Sequence, residues 1–221
     1  MKKLVLLILL TMLFIFPMQS QGDVVTFELD YEFSGAYEPE GESPWLKATI
    51  WDYDTDIVRI KMEDLNLTDG EFVKGWYFNL DLGPDDIVWV AFIEGVTGSA
   101  SYGSFQADGD GIFDIEFAFP EGPPSARFGV GDYSIWQFSG LLGLTAQSFN
   151  IYSESGGGAG TYHTAAHVLG IGPEDQWSGW IGDTNGGGGQ NGEIPEPISL
   201  ILLGSGLAGV GLYRRFKKPR G

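Results

Sequence analysis

Apolar and polar residues alternate with a period of two along much of the middle of this chain. Phe27, Leu29, Tyr31 and Phe33 interleave with Thr26, Glu28, Asp30 and Glu32, the pattern of a strand with one face buried and one in water. Similar runs at 47–52, 57–62, 75–82, 87–93, 113–119, 133–138 and 148–152 predict further strands. Turn signals separate them, among them Thr68-Asp69-Gly70, Gly83-Pro84-Asp85 and Gly122-Pro123-Pro124, where Gly, Pro and Asp favour chain reversal. No stretch here keeps a helical period of 3.6 for three turns. Many short strands at this spacing predict an all-β sandwich or barrel. A jelly-roll-like β-sandwich over residues 23–182 is the preferred expectation, with a flexible Gly-rich loop at 156–160.

The two ends read differently. Met1-Lys2-Lys3 opens an apolar run over 4–16, and Ser20-Gln21-Gly22 supplies small residues at a cleavage site. Residues 1–22 are thus predicted to be a signal peptide, an apolar helix that the Sec export machinery and signal peptidase handle. At the other end, residues 183–193 read as a Gly-rich linker. Then come Ile194-Pro195-Glu196-Pro197, an uncharged apolar run over 198–212, and the cations Arg214, Arg215, Lys217 and Lys218. A membrane helix must be apolar because lipid solvates neither charge nor unpaired backbone. At 1.5 Å per residue the run spans a little over ~20 Å against a hydrocarbon core of about 30 Å. Snorkelling of the flanking cations, local thinning or inclusion of the prolines closes that gap. The basic cluster acts as a membrane stop and keeps the C-terminus inside, which leaves the preceding chain outside.

Pro195-Glu196-Pro197, the apolar segment and the basic end, in that order, resemble a PEP-CTERM sorting signal of Gram-negative bacteria. The resemblance implies export, transient anchoring in the inner membrane, and cutting near the Pro-Glu-Pro motif by an exosortase-type membrane peptidase. Delivery to the cell surface or to an exopolysaccharide (biofilm) matrix follows from it. An ordinary anchor that is never cut, leaving a membrane-tethered periplasmic protein, is the plainer alternative. The middle region is loosely similar to exported domains that precede such tails, through the stretch 70–80, Asp108-Gly109-Asp110-Gly111 with Phe113-Asp114-Ile115, and Ala165-Ala166-His167-Val168 leading to Ser178-Gly179-Trp180. That similarity implies no chemistry.

Charge narrows the function further. The whole chain has 12 Lys and Arg, 30 Asp and Glu, and a net charge of −18. Ahead of the tail and after the signal, only Lys47, Arg59, Lys61, Lys74 and Arg127 face 29 carboxylates, a balance of −24. Binding nucleic acid needs cations to neutralise phosphates, so nucleic acid is excluded as a partner. An anionic glycan is repelled too unless divalent cations bridge the two. With no cysteine, disulfides, thiolate metal sites and a Cys nucleophile are all excluded.

Several motifs offer candidate chemistry. Gly204-Ser205-Gly206-Leu207-Ala208-Gly209 matches a dinucleotide-binding spacing, but no βαβ unit can follow it, and close membrane-helix packing accounts better for its small residues. His163 and His167 stand four apart without the Glu a zincin requires after the first, as Thr164 is there. On an extended segment they would be ~13 Å apart, so they read as loop or edge-strand histidines. Asp108, Asp110 and Asp114 on a Gly-rich turn could converge on calcium, although Asp-Gly between strands is also a hairpin signal. Asp52, Asp54 and Asp56 pose the same alternative. Among the seven Trp, Trp177 and Trp180 are expected to be the most exposed. Exposed aromatics could stack on sugar rings, though most large aromatics fill cores. A carboxylate pair of glycosidase type also stays open, since sequence does not give distance. The expectation is a non-catalytic surface or matrix protein that needs no cofactor, with a glycan-binding or glycan-active jelly roll as the alternative.

Overall fold

The computed structural model describes residues 22–81, 86–157 and 160–183. They form ten strands: β1 (Val24–Glu32), β2 (Leu46–Asp54), β3 (Ile57–Asp64), β4 (Phe72–Phe78), β5 (Trp89–Gly95), β6 (Ser99–Ala107), β7 (Gly111–Ala118), β8 (Tyr133–Ser139), β9 (Thr164–Ile171) and β10 (Trp177–Asp183). All pair antiparallel in a single sheet with the order β5-β8-β3-β2-β1-β10-β9-β4-β7-β6. The all-β expectation holds. The strands make one continuous sheet, however, where a sandwich of two separate sheets was expected.

That sheet is rolled in a barrel-like way. β8 and β7 lie second from opposite ends of the order, yet the rings of Phe117 (β7) and Trp136 (β8) are 5.1 Å apart and those of Phe117 and Phe138 6.1 Å. The link from β5 to β6 spans the same gap. Val96 N–H donates to the Tyr133 carbonyl at the start of β8 at 2.8 Å, and, two residues on, a Cβ at Gly98 would sit 2.4 Å from the Ala118 carbonyl of β7. At the middle of the order the two halves are joined by a short pairing, Leu29 with Asp183, Tyr31 with Gly182 and Glu32 with Ile181, interrupted by a bulge, and by Phe33 N–H donating to the Trp180 carbonyl at 3.0 Å.

The period-two pattern explains which side faces in. Leu46, Ala48 and Ile50 of β2, Val58, Ile60 and Met62 of β3, and Trp136 and Phe138 of β8 enter one core with Trp76, Phe78, Ile115, Phe117 and Ile181 from the opposite half. Burying each Val, Leu, Ile, Met or Phe among them contributes roughly 1.5–3 kcal/mol. The other face of β10, β9 and β4 is also covered. There Tyr77, Phe113, Tyr162 and Ala165 form a second cluster, with Phe33, Phe105 and Trp180 packed on it.

The run at 148–152 is not a strand. Ala146–Phe149 makes a 3-10 turn, held by Ser148 N–H donating to the Thr145 carbonyl at 3.0 Å and Thr145 N–H to Ser148 Oγ at 3.2 Å. Among the described residues no helix is long and apolar enough to cross a membrane. The signal and anchor helices expected at 1–22 and 198–212 fall almost wholly outside the described residues. Asp183, expected to open the linker, is the last residue of β10 and is buried.

Candidate functional site

The connection between β9 and β10 is built under backbone constraint. Gly172 has φ 77°, and the 3-10 turn Pro173–Asp175 follows, with Glu174 at φ 67° and Asp175 at φ 54°. Two successive side-chain-bearing residues in the left-handed region cost energy, and such strain collects at functional positions. Gly70 accommodates the turn, because a Cβ there would meet Asp175 Oδ1 at 2.4 Å.

Trp177 follows directly and is clamped. A Cβ on Gly172 would lie 2.1 Å from its Cε3, so that position admits only glycine. Tyr37, from the β1–β2 connection, stacks on it with ring centroids 4.3 Å apart and planes 9° from parallel. The Tyr37 backbone is seated as closely, its carbonyl oxygen 2.0 Å from where a Gly179 Cβ would be. Both rings remain open to solvent, Tyr37 at 46% and Trp177 at 39%. A shallow cleft adjoins them, lined by Asp175, Gln176, Ser178, Phe72 and Arg127. The Arg127 guanidinium lies 4.1 Å over the Phe72 ring and donates through Nε to the Glu121 carbonyl at 2.7 Å.

Trp180, expected to be exposed with Trp177, is instead half-buried. It stacks on His167 at 4.4 Å, with planes 1° apart, and lies 5.3 Å from Tyr77. Burial and then the Lys74 ammonium push the His167 imidazole below its usual pKa, against Glu121. Tyr77 is pushed well up by burial and by its hydrogen bond to Glu116 at 2.9 Å. His163 is buried, its ring stacked on Phe27 at 4.9 Å and 3.9 Å from Tyr152. Its Nδ1 lies 2.7 Å from Asp183 Oδ2. The loop-or-edge expectation thus holds for His163, which sits in the connection just before β9, and fails for His167, which lies within β9 between β10 and β4.

Asp108 and Gly109, at φ 47° and 85°, occupy the β6–β7 turn, closed by Asp110 N–H donating to the Ala107 carbonyl at 2.9 Å. Asp114 lies along β7, where its Oδ2 accepts the Leu80 N–H at 3.0 Å. Burial raises its pKa, an effect the Leu80 bond opposes and Glu154 reinforces. Among the described residues no group of three or more His, Cys, Asp or Glu is placed to hold a metal ion. In the second acidic run, Asp52 accepts N–H bonds from Asp23 (3.0 Å) and Ala146 (2.6 Å), Asp54 from Thr55 (2.7 Å) and Asp56 from Gly143 (2.7 Å).

The remaining expected site residues, Pro195, Glu196, Pro197, Arg214, Arg215, Lys217 and Lys218, lie outside the described residues, and here comparison with known proteins decides. Residues 193–217 match the PEP-CTERM protein-sorting motif. This PEP-CTERM match spans the Pro-Glu-Pro element and, of the basic stop, Arg214, Arg215 and Lys217. It implies export, membrane-anchored sorting and processing by exosortase-type machinery. No curated protein and no solved structure matches the chain.

The contribution of Tyr37 to the site was not legible in the sequence. It sits in a loop 140 positions from Trp177, and only the clustered glycines 170, 172 and 179 hint that something must approach β9 and β10 closely.

Proposed function

We propose that the chain is a non-catalytic structural or adhesion component of the cell surface or exopolysaccharide matrix. In this reading the signal segment at 1–22 takes it through Sec and the signal peptidase. The tail then holds it in the inner membrane until an exosortase-type peptidase cuts near Pro195-Glu196-Pro197. The observation that carries the reading is the sorting motif at 193–217. The way carboxylates are used supports a non-catalytic domain. Asp52 and Asp56 tie the β2–β3 hairpin to neighbouring backbone, and Asp64 accepts N–H bonds from Leu67 and Gly131. Acids engaged in this way hold loops in place. The test is fractionation of cells with and without the exosortase. The reading predicts surface or matrix protein in the first case and accumulation in the inner membrane in the second. Equal surface yield in both would overturn it.

A second reading, glycan binding, is favoured by one feature, the solvent-open aromatic pair Tyr37–Trp177 beside a polar cleft.

A further inference from the structure

We propose that Tyr37 and Trp177 form a stacking platform for the pyranose rings of a neutral polysaccharide, with the cleft that Trp177 shares with Gln176, Asp175 and Arg127 supplying bonds to the hydroxyls of the adjoining sugar. The proposal rests on the surface-component reading and deepens it by naming the ligand class.

Three independent features converge on this surface. The first is the form of the aromatic pair. Tyr37 is stacked on one face by Trp177 and is still 46% exposed, so the pair presents aromatic surface to solvent. A flat aromatic face suits a sugar whose axial C–H groups present an apolar side, as in β-linked glucans. The second feature is that the pair is held rigidly in place. Glycines at 172 and 179 let the Trp177 ring and the Tyr37 backbone seat closely, and the adjacent turn accepts two strained residues to bring Asp175 and Gln176 alongside. A preformed platform loses little conformational freedom on binding. The third feature is position. The chain leaves the described domain at Asp183, the far end of β10 from Trp177, about 20 Å away at ~3.3 Å per residue. The platform and that exit point lie at opposite ends of β10.

Charge selects the ligand class. The surplus of carboxylates ahead of the tail repels polyanions, and Asp69, Glu71 and Asp132 line the cleft on the other side of Phe72 and Arg127. A neutral chain can approach without that cost. Planar side chains such as Gln, Asp and Arg offer in-plane bonds to vicinal hydroxyls.

The experiment is isothermal titration of the full-length chain, purified in detergent, with cellohexaose and laminarihexaose as neutral probes and a polygalacturonate oligomer as the anionic one. The expected result is binding of at least one neutral probe and none of the anionic one. Tyr37→Ala should weaken it about tenfold or more, and Tyr37→Trp, which keeps a flat ring, should restore it. Equal melting temperatures of the three proteins check that the fold is unchanged. No heat with either neutral probe up to 10 mM, or equal affinity in Tyr37→Ala, overturns the proposal. Failure here is distinguishable from failure of sorting: wild-type protein that reaches the surface only with the exosortase present and yet binds no neutral probe overturns the platform alone.

Discussion

The carboxylate of Asp183 and the imidazole of His163 meet 2.7 Å apart in the interior, at the point where the chain leaves the domain. Asp183 Oδ1 also accepts the backbone N–H groups of His163 (2.9 Å) and Thr164 (3.2 Å). One buried acid thus ties the last residue of β10 to the start of β9. Replacing it with Ala strands three buried donors or acceptors at once. Asp183→Ala is expected to cost about 3 kcal/mol, read as a lower urea midpoint with the slope unchanged. Asp183→Asn, which keeps an acceptor, should cost less.

The rolled sheet makes a separate prediction. Phe117 and Trp136 come from strands near opposite ends of the sheet order and pack tilted by 52°. Phe117→Ala should destabilise by about 3–5 kcal/mol, as large-to-small core changes do. A double-mutant cycle with Trp136→Leu should give a coupling energy of about 0.5–1.5 kcal/mol. A flat sheet would give additive effects.

His167 supplies a pH dependence. Its imidazole is held below its ordinary pKa by burial and by Lys74, with Glu121 opposing. Between the folded and unfolded values the unfolded chain binds more protons, so stability rises with pH there. The contribution is fully present above about pH 6.5, the unfolded value, and is lost as pH falls below it. His167→Phe keeps a ring on Trp180 but does not titrate. Between pH 7.5 and 5.5 the wild type should lose more melting temperature than this variant. The acid-driven trend shared by the many carboxylates cancels in that comparison.

The turn at 108–110 can be tested as a hairpin. Gly109 has φ 85°, a region in which a side chain is strained, so Gly109→Ala is expected to cost about 1 kcal/mol. A turn that forms through its backbone alone predicts no change in melting temperature on adding calcium. A rise in melting temperature that Asp108→Asn abolishes would instead place a cation at Asp108, Asp110 and Asp114.

Strands were legible in the sequence where one face meets the core and the other meets water. The alternation in β2 and β3, with Ala48, Ile50, Ile60 and Met62 buried and Thr49 and Lys61 between them, is visible in the letters themselves. β6 gave no signal because Ser99–Ala107 is an edge strand, largely exposed and small or polar. β9 and β10 were hidden for the opposite reason. With aromatics packed on the outer face as well as core inside, Ala165, Ala166 and Gly182 fit where period-two alternation would have placed larger residues. The 3-10 turn at Ala146–Phe149 looks like strand in the letters because they do not show that Ser148 Oγ accepts the Thr145 N–H. The sorting tail was legible because its three parts are defined by composition and order, whereas the Tyr37–Trp177 pair depends on a contact that only folding creates.

Mass spectrometry of the C-terminus of the protein recovered from the cell surface tests the central claim most directly. Sorting through residues 193–217 predicts a mature chain ending near Pro195-Glu196-Pro197, without the apolar run or Arg214 and Arg215. Surface protein that still carries Arg220 and Gly221 would contradict it.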